Sequence, residues 1–184
     1  MRAALLCLAA GLMALGACSK TPGAAPAATN VTQGPSVGQA SAPAAAAAAS
    51  GPAISGVFTG DGQQSTLTQV TAHTDEPFDG KPVTALVFTV KDQGGDAKAA
   101  EDALFGNFGD AMVIKVQPDG TVVEADVVHS GLKSPGSVSL SGVMTIKGYS
   151  ASGGQISGEL TSGGPTDLFD HKLNVDLTFH AKAP

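Results

Sequence analysis

The chain has no tryptophan, one tyrosine, two cysteines and few charges, with only 14% of its 184 residues Asp, Glu, Lys or Arg. Each shortage removes a class of function. Both cysteines, Cys7 and Cys18, lie within the first 18 residues. Everything after them must fold without a disulfide, without cysteine-bound metal and without a thiol nucleophile. With Tyr149 as its sole tyrosine, the chain lacks the broad aromatic platforms on which sugars stack. Basic residues are scarce and scattered, whereas binding to a phosphate backbone needs several Lys or Arg on one face. No nucleic-acid partner is therefore expected. The sequence also lacks a Gly-x-Ser-x-Gly elbow, and "KDQGGDAK" lacks the Gly-Lys-Ser/Thr ending of a phosphate loop. "SGLKSPGS" brings Lys133 near Ser130 and Ser134 and reads as a loop rather than a nucleophile motif.

What is present begins with an address. Met1-Arg2 places one positive charge ahead of "AALLCLAAGLMAL", Ala3 to Leu15. A charge followed by a short apolar run is the form of a signal peptide. The run falls short of the roughly 20 residues a membrane-spanning helix needs. Small residues and a cysteine follow directly, as Leu15-Gly16-Ala17-Cys18. This segment resembles the lipobox of bacterial lipoproteins, and the resemblance covers residues 1–18 only. It implies cleavage before Cys18, diacylglycerol on the Cys18 thiol and acylation of the new amino terminus. It also implies that Ser19, in place of an aspartate, is compatible with sorting to the outer membrane. Residues 1–17 are thus expected to be a leader. Several acyl chains on Cys18 would hold durably, where one chain alone holds only marginally. No other cofactor is expected.

Between Lys20 and Asp61 the chain carries no charge. Residues 18–53 are rich in alanine, proline, glycine and serine and nearly devoid of large apolar side chains. Such a segment cannot bury enough surface to offset the entropy of ordering. It is expected to be a flexible tether between the lipid on Cys18 and a single domain over residues 54–184. That domain holds all sixteen acidic residues but eight of the ten basic ones, a net charge of −8. An acidic surface disfavours anionic lipid, so the anchor is the expected membrane contact.

The domain reads as all-β. In "HKLNVDLTFH", Leu173, Val175, Leu177 and Phe179 alternate with Lys172, Asn174, Asp176, Thr178 and His180, the period of a strand with one wet face. "SVSLSGVMTIKGY" places Val138, Leu140, Met144 and Ile146 on one face in the same way. "VTALVFTV" is apolar throughout and reads as a central strand. "AMVIKV", "QPDG" and "TVVEADVV" read as a hairpin, with Pro118 presetting one turn dihedral and Gly120 free to take a positive φ. Further strands are expected near 56–59, 65–72 and 155–161. "DAKAAEDALFG" is a short helix opening at Asp96 and ending at Gly106, expected over one end of a sheet. About eight strands joined by short turns predict an antiparallel β-sandwich or a small barrel.

Candidate sites are few. Of four histidines, His171 follows Asp167 and Asp170 in "PTDLFDH", a combination of ligand types that could hold a metal or make a base. His129 ends its strand before Ser130-Gly131. Asp75, Glu76 and Asp79 in "TDEPFDGK" read as a solvated acidic loop without the spacing of a calcium loop. Phe105 and Phe108 in "LFGNFGD" read as an apolar knob for a protein partner, with at least one of the two folded under the loop. The sequence thus predicts an envelope lipoprotein with a periplasm-facing binding or accessory domain. The alternative is a small enzyme or metal-binding protein using His129 or His171 with nearby carboxylates.

Overall fold

A computed structural model describes residues 53–184 apart from 134, 135, 141 and 169. The expected leader, Cys18 and the expected tether up to residue 52 lie outside the described residues. In chain order the strands are β1 (Ile54–Gly60), β2 (Gln63–Ser65), β3 (Gln69–Phe78), β4 (Lys81–Thr89), β5 (Ala111–Val116), β6 (Val122–Val128), β7 (Val138–Ser139), β8 (Thr145–Ser152), β9 (Gln155–Thr161), β10 (Thr166–Leu168) and β11 (His171–Lys182). They form two antiparallel sheets. Sheet one runs β2-β1-β11-β9-β8, with β10 beside the start of β11, and sheet two runs β3-β4-β5-β6-β7. The sheets face each other across one core, so the fold is an all-β sandwich.

The alternation in β11 is what the core requires. Leu173, Val175, Leu177, Phe179 and Ala181 point inward and are buried. Opposite them stand Leu86, Phe88, Met112, Ile114, Ala125 and Val127 of sheet two. Phe88 and Phe179 meet edge to face at the centre, ring centroids 5.4 Å apart. Such a pair adds about 1 kcal/mol beyond the area it buries. β4 is apolar on both faces because both are covered. Its outward Val87 packs with Val113 and Ala111 of β5 beneath the helix α1 (Ala99–Leu104), through Ala99 and Ala103. The helix lies on the outer face of sheet two, not over a sheet end. Asp96 does not cap it directly, because the first helical residue follows Lys98. Asp96 Oδ1 instead accepts the Lys98 N–H at 2.8 Å in the preceding turn.

Three further expectations are corrected. The three strands beyond eight, β2, β7 and β10, have two or three residues each, too short to show a period. "SVSLSGVMTIKGY" does not lie in one sheet. Val138 belongs to β7, paired with β6, and Ile146 to β8, paired with β9, while Leu140 and Met144 enter the core between them. "TDEPFDGK" is not a loop: β3 runs through Asp75, Glu76 and Pro77 to Phe78, and Asp79-Gly80 turns it into β4. Edge strands tolerate proline and charge, because one side of their backbone needs no partner.

Candidate functional site

The register sets which loops meet. Ile54 pairs with Phe179 and Gly60 with Leu173, so β1 runs the opposite way to β11. Ala53 lies at one end of the sandwich, here called proximal, where its carbonyl accepts the His180 N–H at 2.8 Å. Seven residues of strand, roughly 20 Å at about 3.3 Å each, carry the chain to the distal end. The β1–β2 turn, the start of β11, the loop from α1 to β5, and the turn after β6 gather there.

Asp61 and Gly62 form the β1–β2 turn with φ +50° and +79°, a two-residue hairpin of the kind Asp-Gly favours. That geometry aims Asp61 at the start of β11. Its Oδ1 accepts the Lys172 N–H at 2.7 Å, its Oδ2 meets His171 Nδ1 at 2.7 Å, and its own N–H donates to the Lys172 carbonyl at 2.7 Å. The Lys172 amide, followed by the His171 hydrogen bond, holds the Asp61 carboxyl below its ordinary value. The carboxylate partner of His171 is therefore Asp61. Asp167 pairs with Lys172 Nζ at 2.6 Å, and Asp170 is exposed. Among the described residues no group of three His, Asp or Glu side chains converges on a metal position.

His129 leads into a 3-10 turn, Ser130–Leu132, and is buried, 4% exposed. Its Nδ1 accepts the Gly131 N–H at 2.9 Å, so the neutral ring carries its proton on Nε2. Nε2 is buried and has no hydrogen-bond partner among the described residues. The ring stands edge-on to Phe58, centroids 4.6 Å apart. The fit is close: a methyl at Gly60 would come within 2.7 Å of His129 Nδ1, and one at Gly131 would run into the Gly60 carbonyl. Burial pushes the His129 pKa down. Asp110, the Phe58 carbonyl and Asp61 pull it back only in part.

Ser130 joins this turn to the loop that precedes β5. Its N–H donates to Asp110 Oδ1 at 2.8 Å and its hydroxyl to Oδ2 at 3.2 Å, while Gln63 Nε2 donates to the same hydroxyl at 3.0 Å. Ser130 and Lys133 do stand three residues apart, a spacing that nucleophilic serines use. In this turn the hydroxyl is committed to Asp110, and His129 Nδ1 to an amide, so neither is placed to activate the serine. Asp110 ends the loop carrying both predicted phenylalanines. Phe108 is half-buried against the α1 cluster, and its carbonyl accepts the Lys91 N–H at 3.1 Å. Phe105 is 75% exposed. The remaining histidines lie elsewhere: His73 pairs with Thr71 on β3 at 2.8 Å, and His180 sits near the proximal end of β11.

The distal end thus brings together Phe105, Asp110, Ser130, His129, Asp61 and His171. Asp61 and Asp110 are the members that sequence reasoning missed, although the Asp61-Gly62 pair was a readable turn signal. No family model matches the chain, and neither the curated proteins nor the solved structures provide a match.

Proposed function

We propose that this protein is a bacterial envelope lipoprotein, anchored by lipid on Cys18 in the outer membrane and facing the periplasm. Its sandwich acts as a binding or accessory module for another envelope protein. The observation that carries the reading is the position of Phe105. A large apolar side chain, 75% exposed, stands at the end of the sandwich opposite Ala53. A tether attached at the proximal end would leave that distal end facing away from the membrane. An exposed phenyl on a short loop is costly in water and favourable in a partner's socket.

The test is capture of the tagged full-length protein from crosslinked, detergent-solubilised envelopes. Phe105→Ser should lose the captured partner. Phe78→Ser, at a second exposed phenylalanine among the described residues (48%), should keep it, and Cys18→Ser should lose both fatty-acid labelling and membrane retention. Equal capture by wild type and Phe105→Ser sinks the distal binding surface. Labelling that persists in Cys18→Ser sinks the anchor.

One observation favours the second reading, a small metal-binding protein or enzyme. Asp61 Oδ2 touches His171 Nδ1 at 2.7 Å, so a histidine–carboxylate pair stands at the distal end. A zinc-dependent thermal shift abolished by His171→Ala, with no partner captured, would move the assignment there.

A further inference from the structure

We infer that His129 is an acid-sensitive latch: while neutral it holds the distal turn closed and, through Ser130, fixes the loop that presents Phe105; protonated, it releases both. The inference deepens the binding reading above and rests on it for its consequence, but not for its mechanism.

The geometry leaves the ring no neutral position to retreat to. Nδ1 is the acceptor for the Gly131 amide at 2.9 Å. A proton taken from solvent on Nδ1 turns that acceptor into a donor facing a donor, and the Gly131 N–H is left buried without a partner, an expensive condition. The ring is packed on two sides: Gly60 lies so near that a methyl on it would come within 2.7 Å of Nδ1, and Phe58 stands edge-on at 4.6 Å. The charge must then reach water by opening the turn.

Groups facing the ring come from every element around it. Asp110 precedes β5, Asp61 caps β11 from the β1–β2 turn, and the Phe58 carbonyl belongs to β1. All three favour the charged ring, yet burial outweighs them. His171 faces Asp61, and Lys133 follows the turn with φ +52°. The link to Phe105 is covalent and hydrogen-bonded. Ser130 grips Asp110 through both its N–H and its hydroxyl, and Asp110 is five residues beyond Phe105. The sign follows: a histidine whose folded pKa is depressed stabilises the closed turn fully above about 6.5 and loses that contribution as pH falls through the folded value.

Hydrogen exchange of the intact protein, corrected for the intrinsic pH dependence of exchange, reads the latch segment by segment. From pH 7.5 to 4.5, protection of segments 105–110 and 129–133 should fall by about tenfold for each pH unit between the free-imidazole value of about 6.5 and the ring's lower folded value, with β5 still protected. His129→Asn keeps an acceptor for the Gly131 amide and cannot take up a proton in this range. Its distal segments should stay protected throughout. His129→Phe removes the acceptor and should leave them open at every pH. Constant wild-type protection down to pH 4.5 overturns the latch, and so does an Asn variant that opens along with the wild type. The measurement involves no partner, so its failure and a failed capture by Phe105 are separate results.

Discussion

Where the chain enters at Ala53, the sandwich is closed by small residues, one ring and the neutral amide of Gln117, which accepts from Lys81 Nζ at 3.3 Å and donates to the Phe78 carbonyl at 3.4 Å. Gly120, in the β5–β6 turn, lies so near Tyr149 that a methyl on it would come within 2.7 Å of the Tyr149 Cβ. The Ala183 N–H donates to the Gly154 carbonyl at 2.9 Å. At the far end the closure is centred on two histidines: His129 on Gly131 and Asp61 on His171 and Lys172, with Ser130 on Asp110 between the loops. Side-chain packing and a neutral amide are indifferent to pH and yield a little under strain, whereas a closure hydrogen-bonded through histidine depends on which atom holds the proton. The comparison teaches where to look for function. Stability alone is served by the first kind of end, and the second kind leaves stability open to its surroundings.

The largest expected effect comes from adding one methyl at each end. At Gly131 it would meet backbone, the Gly60 carbonyl, which cannot move without shifting β1. Gly131→Ala should cost on the order of 3 kcal/mol and expose segment 129–133. At Gly120 the obstacle is side chain, Tyr149, with the added strain of φ +86°. Gly120→Ala should cost less, about 1–2 kcal/mol. Urea unfolding of both variants decides the matter, and a reversed order would mean that the distal turn yields more readily than its contacts imply.

A smaller effect, of opposite sign in acid, separates the distal end from the middle of sheet two. Asp126, 8% exposed on β6, has its pKa raised by burial and by the neighbouring Glu124. A buried acid with a raised pKa favours the fold while protonated, and that contribution is lost as pH rises through the folded value. Asp126→Asn should therefore stabilise the protein at pH 7 and do little below pH 4. Thermal melts at the two pH values check this. A gain that is equal at both would assign the effect to packing rather than charge.

How much of this was legible in the sequence depends on the range over which each feature is decided. β11, β4 and the β5–β6 hairpin were readable because the core takes every second side chain, or every one where a helix covers the back. The range 155–161 matches β9 as expected, whereas β3 was not read to its end: Asp75, Glu76 and Pro77 look like loop residues, and only their place at a sheet edge makes them strand. The helix was legible but its resting place was not, since Ala99 and Ala103 specify a small-residue face without naming Val87 and Val113 as its partner. The distal cluster was half visible. His129, His171, Phe105 and Phe108 stood out by type, but the partner of His171 is Asp61, 110 positions away. That pairing is created by the register of β1 on β11, which no local spacing encodes.

Asp61 also provides the finest test of the two-ended picture, because it acts at the distal end in two pH windows. Its carboxyl is held below the ordinary 3.8 by the Lys172 amide first and His171 second. A carboxylate with a depressed folded pKa gives stability that is present above the unfolded value and lost as pH falls through the folded one. Asp61→Asn should therefore remove an acid-dependent loss confined to below about pH 3.8. Its second action is on His129, whose charged form it favours electrostatically. Without that charge the folded ring's value falls further below 6.5, so the opening of segment 129–133 should begin at the same pH while its lower limit shifts to lower pH, leaving the turn more open in acid. The exchange experiment that reads the latch measures this shift directly. A shift to higher pH would mean that Asp61 restrains the turn mainly through its hold on β11, and that its charge is incidental to the histidine.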